Sequence, residues 1–128
     1  MMLERLFLLL MADGSTDQKL KFNMKNADVD CPPDTCGIHI HTGTTCAEPG
    51  HHYWDATDDA PDPWSAAKGT AYKSDSNGKS KGAFDINSGY DYSENVGHAV
   101  VVHDKNGVPF GCGVLSSEKV TKGCMKKQ

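Results

Sequence analysis

Residues 19–25, Lys-Leu-Lys-Phe-Asn-Met-Lys, alternate strictly. Leu20, Phe22 and Met24 fall on one side of an extended chain, and Lys19, Lys21, Asn23 and Lys25 on the other. A period of two predicts a strand with one face in a core and one in water. Residues 37–41, Gly-Ile-His-Ile-His, repeat the pattern, with Ile38 and Ile40 opposite His39 and His41. Residues 97–103, Gly-His-Ala-Val-Val-Val-His, are rich in β-branched side chains. They set Val100 and Val102 against Val101 and His103. Residues 111–115, Gly-Cys-Gly-Val-Leu, predict a shorter strand. Asn77-Gly78 and Asn106-Gly107 mark tight turns, because these residues best tolerate positive φ. Residues 53–68 read as a long loop anchored by Trp54 and Trp64. Beyond the first dozen residues no helical period is sustained, and no repeat appears. The pattern predicts an all-β, antiparallel sandwich or barrel.

The first residues fit this pattern less well. The apolar run from Leu6 to Ala12 is too short to span a bilayer, and Glu4 stands beside Arg5 where a signal segment would carry net positive charge. Residues 1–18 therefore read equally as a first strand or helix start and as a signal-like segment. Residues 19–117 form the predicted domain and 118–128 a short solvated tail. The length of 128 residues suits one core. A net charge of −4 without a long basic run argues against nucleic-acid binding.

Cysteines stand at 31, 36, 46, 112 and 124. They contain no Cys-x-x-Cys pair and no zinc-finger spacing, so disulfides are the better reading. That points to a secreted, extracellular or otherwise oxidising location. Five cysteines leave one thiol over, and Cys31 with Cys36 is one possible pair among several.

Four of the six histidines lie within residues 39–52. His39 and His41 leave the same face of one predicted strand, His51 and His52 follow a Pro-Gly turn, and His103 closes another strand. Converging neutral imidazoles suit copper and zinc. Spacing alone names neither the metal nor the fourth ligand.

Taken in order, Gly-Ile-His-Ile-His, Pro-Gly-His-His-Tyr-Trp, Gly-His-Ala-Val-Val-Val-His-Asp-Lys and Cys-Gly-Val-Leu resemble the copper/zinc superoxide dismutase family. The resemblance implies a Greek-key β-sandwich or barrel. His39, His41, His52 and His103 match its copper ligands, His52 being the one that bridges to zinc, and His51 matches a bystander. Cys46 and Cys112 match the disulfide that ties the long loop to the barrel.

Four features depart from the family. No histidine lies between His52 and His98, and the carboxylates Asp55, Asp58, Asp59 and Asp62 suit harder ions than zinc. Zinc is therefore not expected, and the chain resembles the copper-only branch. The charged loop before the last strand is reduced to residues 104–111, which implies an open site. Pro109 stands where the family has an arginine for superoxide, leaving His98, Lys105 or Lys119 as candidate cations. Finally, the first hairpin is either abbreviated or leaves a sheet edge open to pairing or to neighbouring domains.

The implied function is a copper-dependent superoxide dismutase. It would convert superoxide to oxygen and hydrogen peroxide through a Cu(II)/Cu(I) cycle, with His52 releasing copper and carrying a proton. No nucleic acid or membrane span is expected. The alternative is a non-catalytic copper-binding or buffering module on the same fold.

Overall fold

In the computed structural model of the protein, residues 4–9 and 14–115 are described, and antiparallel strands dominate. β1 (Glu4–Leu9) pairs with β2 (Gln18–Lys25), which also pairs with β5 (Ser80–Ile86) to complete a three-stranded sheet. The second sheet has four strands in the order β4 (Ala71–Tyr72), β3 (Cys36–Ile40), β6 (Ala99–His103) and β7 (Pro109–Val114). One short helix, α1 (Tyr92–Asn95), is started by a capping box. The Asp91 side chain accepts from the Glu94 N–H, and the Glu94 side chain accepts from the Asp91 N–H.

The alternating stretch behaves as its period requires. Leu20, Phe22 and Met24 of β2 are buried with Phe7 of β1 in the same cluster as Ile38, Ile40, Val100 and Val102. The two sheets thus share one core, and each such side chain taken from water contributes about 1.5–3 kcal/mol. β3 differs from β2 because all five of its residues are buried. Its isoleucines face the core, and its histidine face is covered by the chain that follows.

Residues 4–9 are the described part of the N-terminal segment. They form an outer strand in register with β2, Phe7 opposite Phe22, so a first hairpin is present. Residues 1–3, 10–13 and 116–128, including Lys119, Cys124 and the tail from 118, lie outside the described residues. Among the described residues, no helix is long and apolar enough to cross a membrane.

The two Asn-Gly turns do different things. Asn106-Gly107 closes a hairpin between β6 and β7, with Asp104 N–H bonded to Val108 O at 3.0 Å. Asn77-Gly78 also makes a tight turn, but it joins β4 to β5, which belong to different sheets. Residues 53–68 hold only the short 3-10 turns Thr57–Asp59 and Ala66–Lys68. Both tryptophans pin this loop, Trp64 Nε1 donating to Tyr53 O and Trp54 Nε1 to Ala60 O.

Candidate metal centre

β3 and β6 run antiparallel with His39 opposite Val101, so His39, His41 and His103 leave one face. His52 reaches that face by a different route. After Gly50 (φ 77°) the chain returns alongside the end of β3. Thr42 N–H bonds to His51 O at 2.7 Å, and Tyr53 N–H to Ile40 O at 2.9 Å. His41 and His52 form an isolated bridge between these segments.

Four rings come together. Centroids lie 4.6 Å apart for His39 and His52, 4.7 Å for His39 and His103, 5.1 Å for His41 and His52, and 6.4 Å for His41 and His103. His39, His41 and His52 each offer a nitrogen, and the three lie within 4.8 Å of one another. This cluster fits a metal ion. His51 is exposed, and its backbone N–H bonds to Thr42 Oγ1.

The surrounding acceptors decide which nitrogens are free. His41 Nδ1 lies 2.9 Å from Gly50 O, and His103 Nδ1 3.3 Å from Gly37 O. A carbonyl only accepts, so both Nδ1 atoms carry protons and both Nε2 atoms keep lone pairs. His52 is set in the same sense by Asp62, whose Oδ2 lies 2.7 Å from its Nδ1. His39 is inverted. A Cβ on Gly37 would sit 2.7 Å from His39 Nε2, so that edge packs on the glycine and Nδ1 faces away. Both His39 nitrogens and His41 Nε2 are buried without a hydrogen-bond partner. Unpaired buried nitrogens are costly, about 1–3 kcal/mol each, and a metal ion would satisfy one on each ring.

Burial also favours the neutral form of His39, His41 and His103. The His39 pKa falls from 6.5 to about 3, first through desolvation and then through His103, His52 and His41. Burial likewise lowers His41 and His103, against the opposing pull of the Gly50 and Gly37 carbonyls. A linkage effect follows for the metal-free protein. Between pH 6.5 and about 3 the unfolded chain protonates His39 while the folded chain does not. Stability should therefore fall with acidification across that window, by up to about 1.4 kcal/mol per pH unit from this group. Urea denaturation at stepped pH measures it, and a flat profile down to pH 4 would contradict the assignment.

Asp62 is the residue whose part at the site the sequence conceals. Weighed there only as a poor zinc ligand, it holds the ring of His52 instead, while its Oδ1 accepts from the Trp64 N–H at 2.8 Å. An outer carboxylate of this kind fixes the tautomer and raises ligand basicity. Asp62→Asn is expected to weaken metal affinity about 10-fold, read by competition with a chelator. Unchanged affinity would mean that the loop alone orients His52.

Further contacts brace the other residues of the cluster. Tyr72, fully buried, donates its hydroxyl to His103 O at 2.8 Å, and burial pushes its pKa up to about 12. Cys46 is bonded to Cys112, and Cys31 to Cys36. Two disulfides are compatible with an oxidising compartment. Asp28, Cys31 and Cys36 form a second group of donor atoms, but those cysteines are bonded to each other and offer no thiolate. Lys105 is tied to Asp28 at 3.2 Å and to Val29 O. Pro109 is the cross-strand partner of His103. No protein-family model matches the chain, and a search of curated proteins finds no match either.

Proposed function

We propose that the protein is a copper-dependent superoxide dismutase on a Greek-key sandwich, resembling the copper-only branch of the copper/zinc family. The observation that carries this reading is the convergence of His39, His41 and His52 beside His103, with buried nitrogens left for a metal. An all-imidazole set suits copper better than a hard cation. Bound there, copper would supply one-electron chemistry, alternating between Cu(II) and Cu(I) as two superoxide ions and two protons become oxygen and hydrogen peroxide.

The chain's own residues divide the remaining work. His39 and His103 lie on paired strands and His41 directly follows one, so a rigid ladder supports these three ligands. His52 stands on the returning segment and is half-buried, with Asp62 on its Nδ1. Its Nε2 is the atom suited to carry a proton towards product, because Asp62 holds Nδ1 and leaves Nε2 turned to the cluster. The connection from β6 to β7 is the tight turn at Asp104–Val108, too short to lay a covering loop over the histidines. Substrate would approach past His52 and His103, the two half-buried rings of the cluster.

A specific observation favours the copper-binding alternative. Pro109 stands opposite His103, where a cation would draw in an anion, and the carboxylates Asp62 and Asp104 adjoin His52 and His103. Pulse radiolysis of copper-loaded, zinc-stripped protein separates the readings. Fast superoxide decay that is lost in His103→Ala supports the dismutase, and Pro109→Arg should raise the rate further at low salt. Equimolar copper binding with no acceleration of decay supports the binding module.

A further inference from the structure

His98 is the sixth histidine and stands outside the cluster of four. It enters between α1 and β6, just after Gly97 (φ 95°). Its Nδ1 lies 3.0 Å from His41 O, and since a carbonyl only accepts, Nδ1 carries the proton and donates. Its face is stacked on Tyr53, with centroids 4.0 Å apart and planes 17° apart. Tyr90 is stacked on the same tyrosine at 4.3 Å and 13°. Two rings cannot share one face at those separations, so Tyr53 is held between His98 and Tyr90.

These contacts fall where the β3–β6 ladder gives out. Ladder pairing ends at Ile40 opposite Val100. Beyond it His41 is fixed by its N–H bond to Ala99 O and by the bridge to His52. His52 is borne by a returning segment with no ladder of its own. His98 grips both pieces at once, His41 through its carbonyl and His52 through the ring of the next residue. The opposite edge of that segment is also held, because Tyr53 O accepts from Trp64 Nε1 at 2.8 Å. The result is a brace on two ligands whose own backbones pair only with each other and with one strand end.

The geometry points to His98 as a positioning residue that preorganises the His41–His52 half of the metal centre. This rests on the reading that the imidazoles hold copper, but not on turnover. Preorganisation has a kinetic signature: a ligand that stays in place after one bond opens rebinds before the ion leaves. Loosening the brace should therefore speed copper release and alter the ligand field.

Two substitutions separate the contacts. His98→Phe keeps a ring on Tyr53 and deletes the donor, whereas His98→Asn keeps a donor and removes most of the stack. Full-length protein loaded with Cu(II) is mixed with excess EDTA and release is followed by tryptophan fluorescence in a Trp54→Phe background, which leaves Trp64 as the reporter. The ring of Trp64 lies 6.1 Å from that of His39, close enough for Cu(II) to quench it. Each variant should release copper about 10-fold faster than wild type and His98→Ala towards 100-fold faster, with changed copper hyperfine coupling in the EPR spectrum. Release rate and hyperfine coupling equal to wild type in folded variants would overturn the assignment, even if melting temperature fell, because a purely structural residue would behave that way. Wild-type protein that retains no Cu(II) would overturn both this assignment and the copper reading. Superoxide plays no part in the assay, so a wild type that holds copper without dismutating counts against the dismutase alone.

Discussion

His39→Ala is expected to abolish copper retention, with affinity reduced by more than about 100-fold, beyond the loss typical of an outer partner. His39 is the central ring of the cluster, 4.6 Å from His52 and 4.7 Å from His103. It is also the most deeply desolvated of the four, as its pKa of about 3 reflects. The effect on the metal-free fold should be small by contrast. Truncation of a buried side chain normally leaves a costly cavity, but here it also removes two buried nitrogens that have no partner. Metal-free melting temperatures should therefore lie close together, while the rise that copper gives wild type disappears in the variant. Copper stoichiometry after dialysis, with melting curves with and without copper, tests both halves. Undiminished stoichiometry in a folded variant would remove His39 from the site.

The second large effect concerns Cys46 and Cys112. Their bond closes a sequence separation of 66 residues, which in the chain-entropy model contributes about 4 kcal/mol. The bond between Cys31 and Cys36, with a separation of 5, contributes about 2 kcal/mol on the same scale. Replacing Cys46 and Cys112 together by serine should thus lower stability about twice as much as replacing the other pair. It should also reach the site. Cys112 lies on β7 opposite Val101, and Cys46 lies on the segment that turns at Gly50 to deliver His52. Urea midpoints of the two double variants measure the first effect and chelator competition the second. Equal midpoints would show that loop closure does not govern the difference.

The residues that were legible in the sequence are those placed by a local period. Leu20, Phe22 and Met24 declare their face by alternation, and His39, His41 and His103 do the same on neighbouring strands. β5 was not legible, because Gly82 and Ala83 at its centre are poor strand formers. It is a strand because β2 offers a ladder, with Gly82 opposite Phe22. β4 is too short for any pattern to mark it. The capping box of α1 was written as Asp91 and Glu94 but encloses too little helix to leave a period. Asp62 and His98 escaped for another reason. Their parts in the site are set by contacts across 10 and 57 residues, and nothing local distinguishes such a side chain from a solvated neighbour.

The turn at Asn77-Gly78 carries the chain from one sheet to the other, and its position constrains the order of folding. β2 must wait for β5, and β3 must wait for β6, with each pair straddling part of the other. Only the β1–β2 and β6–β7 hairpins can form from near neighbours. Loop-closure entropy has to be met before the long-range pairs return any stability, which places the protein among slow folders. His39 and His103 meet only when β3 and β6 pair. During synthesis, these two histidines are therefore held apart until β6 has emerged, and an ion captured by the cluster would report late assembly.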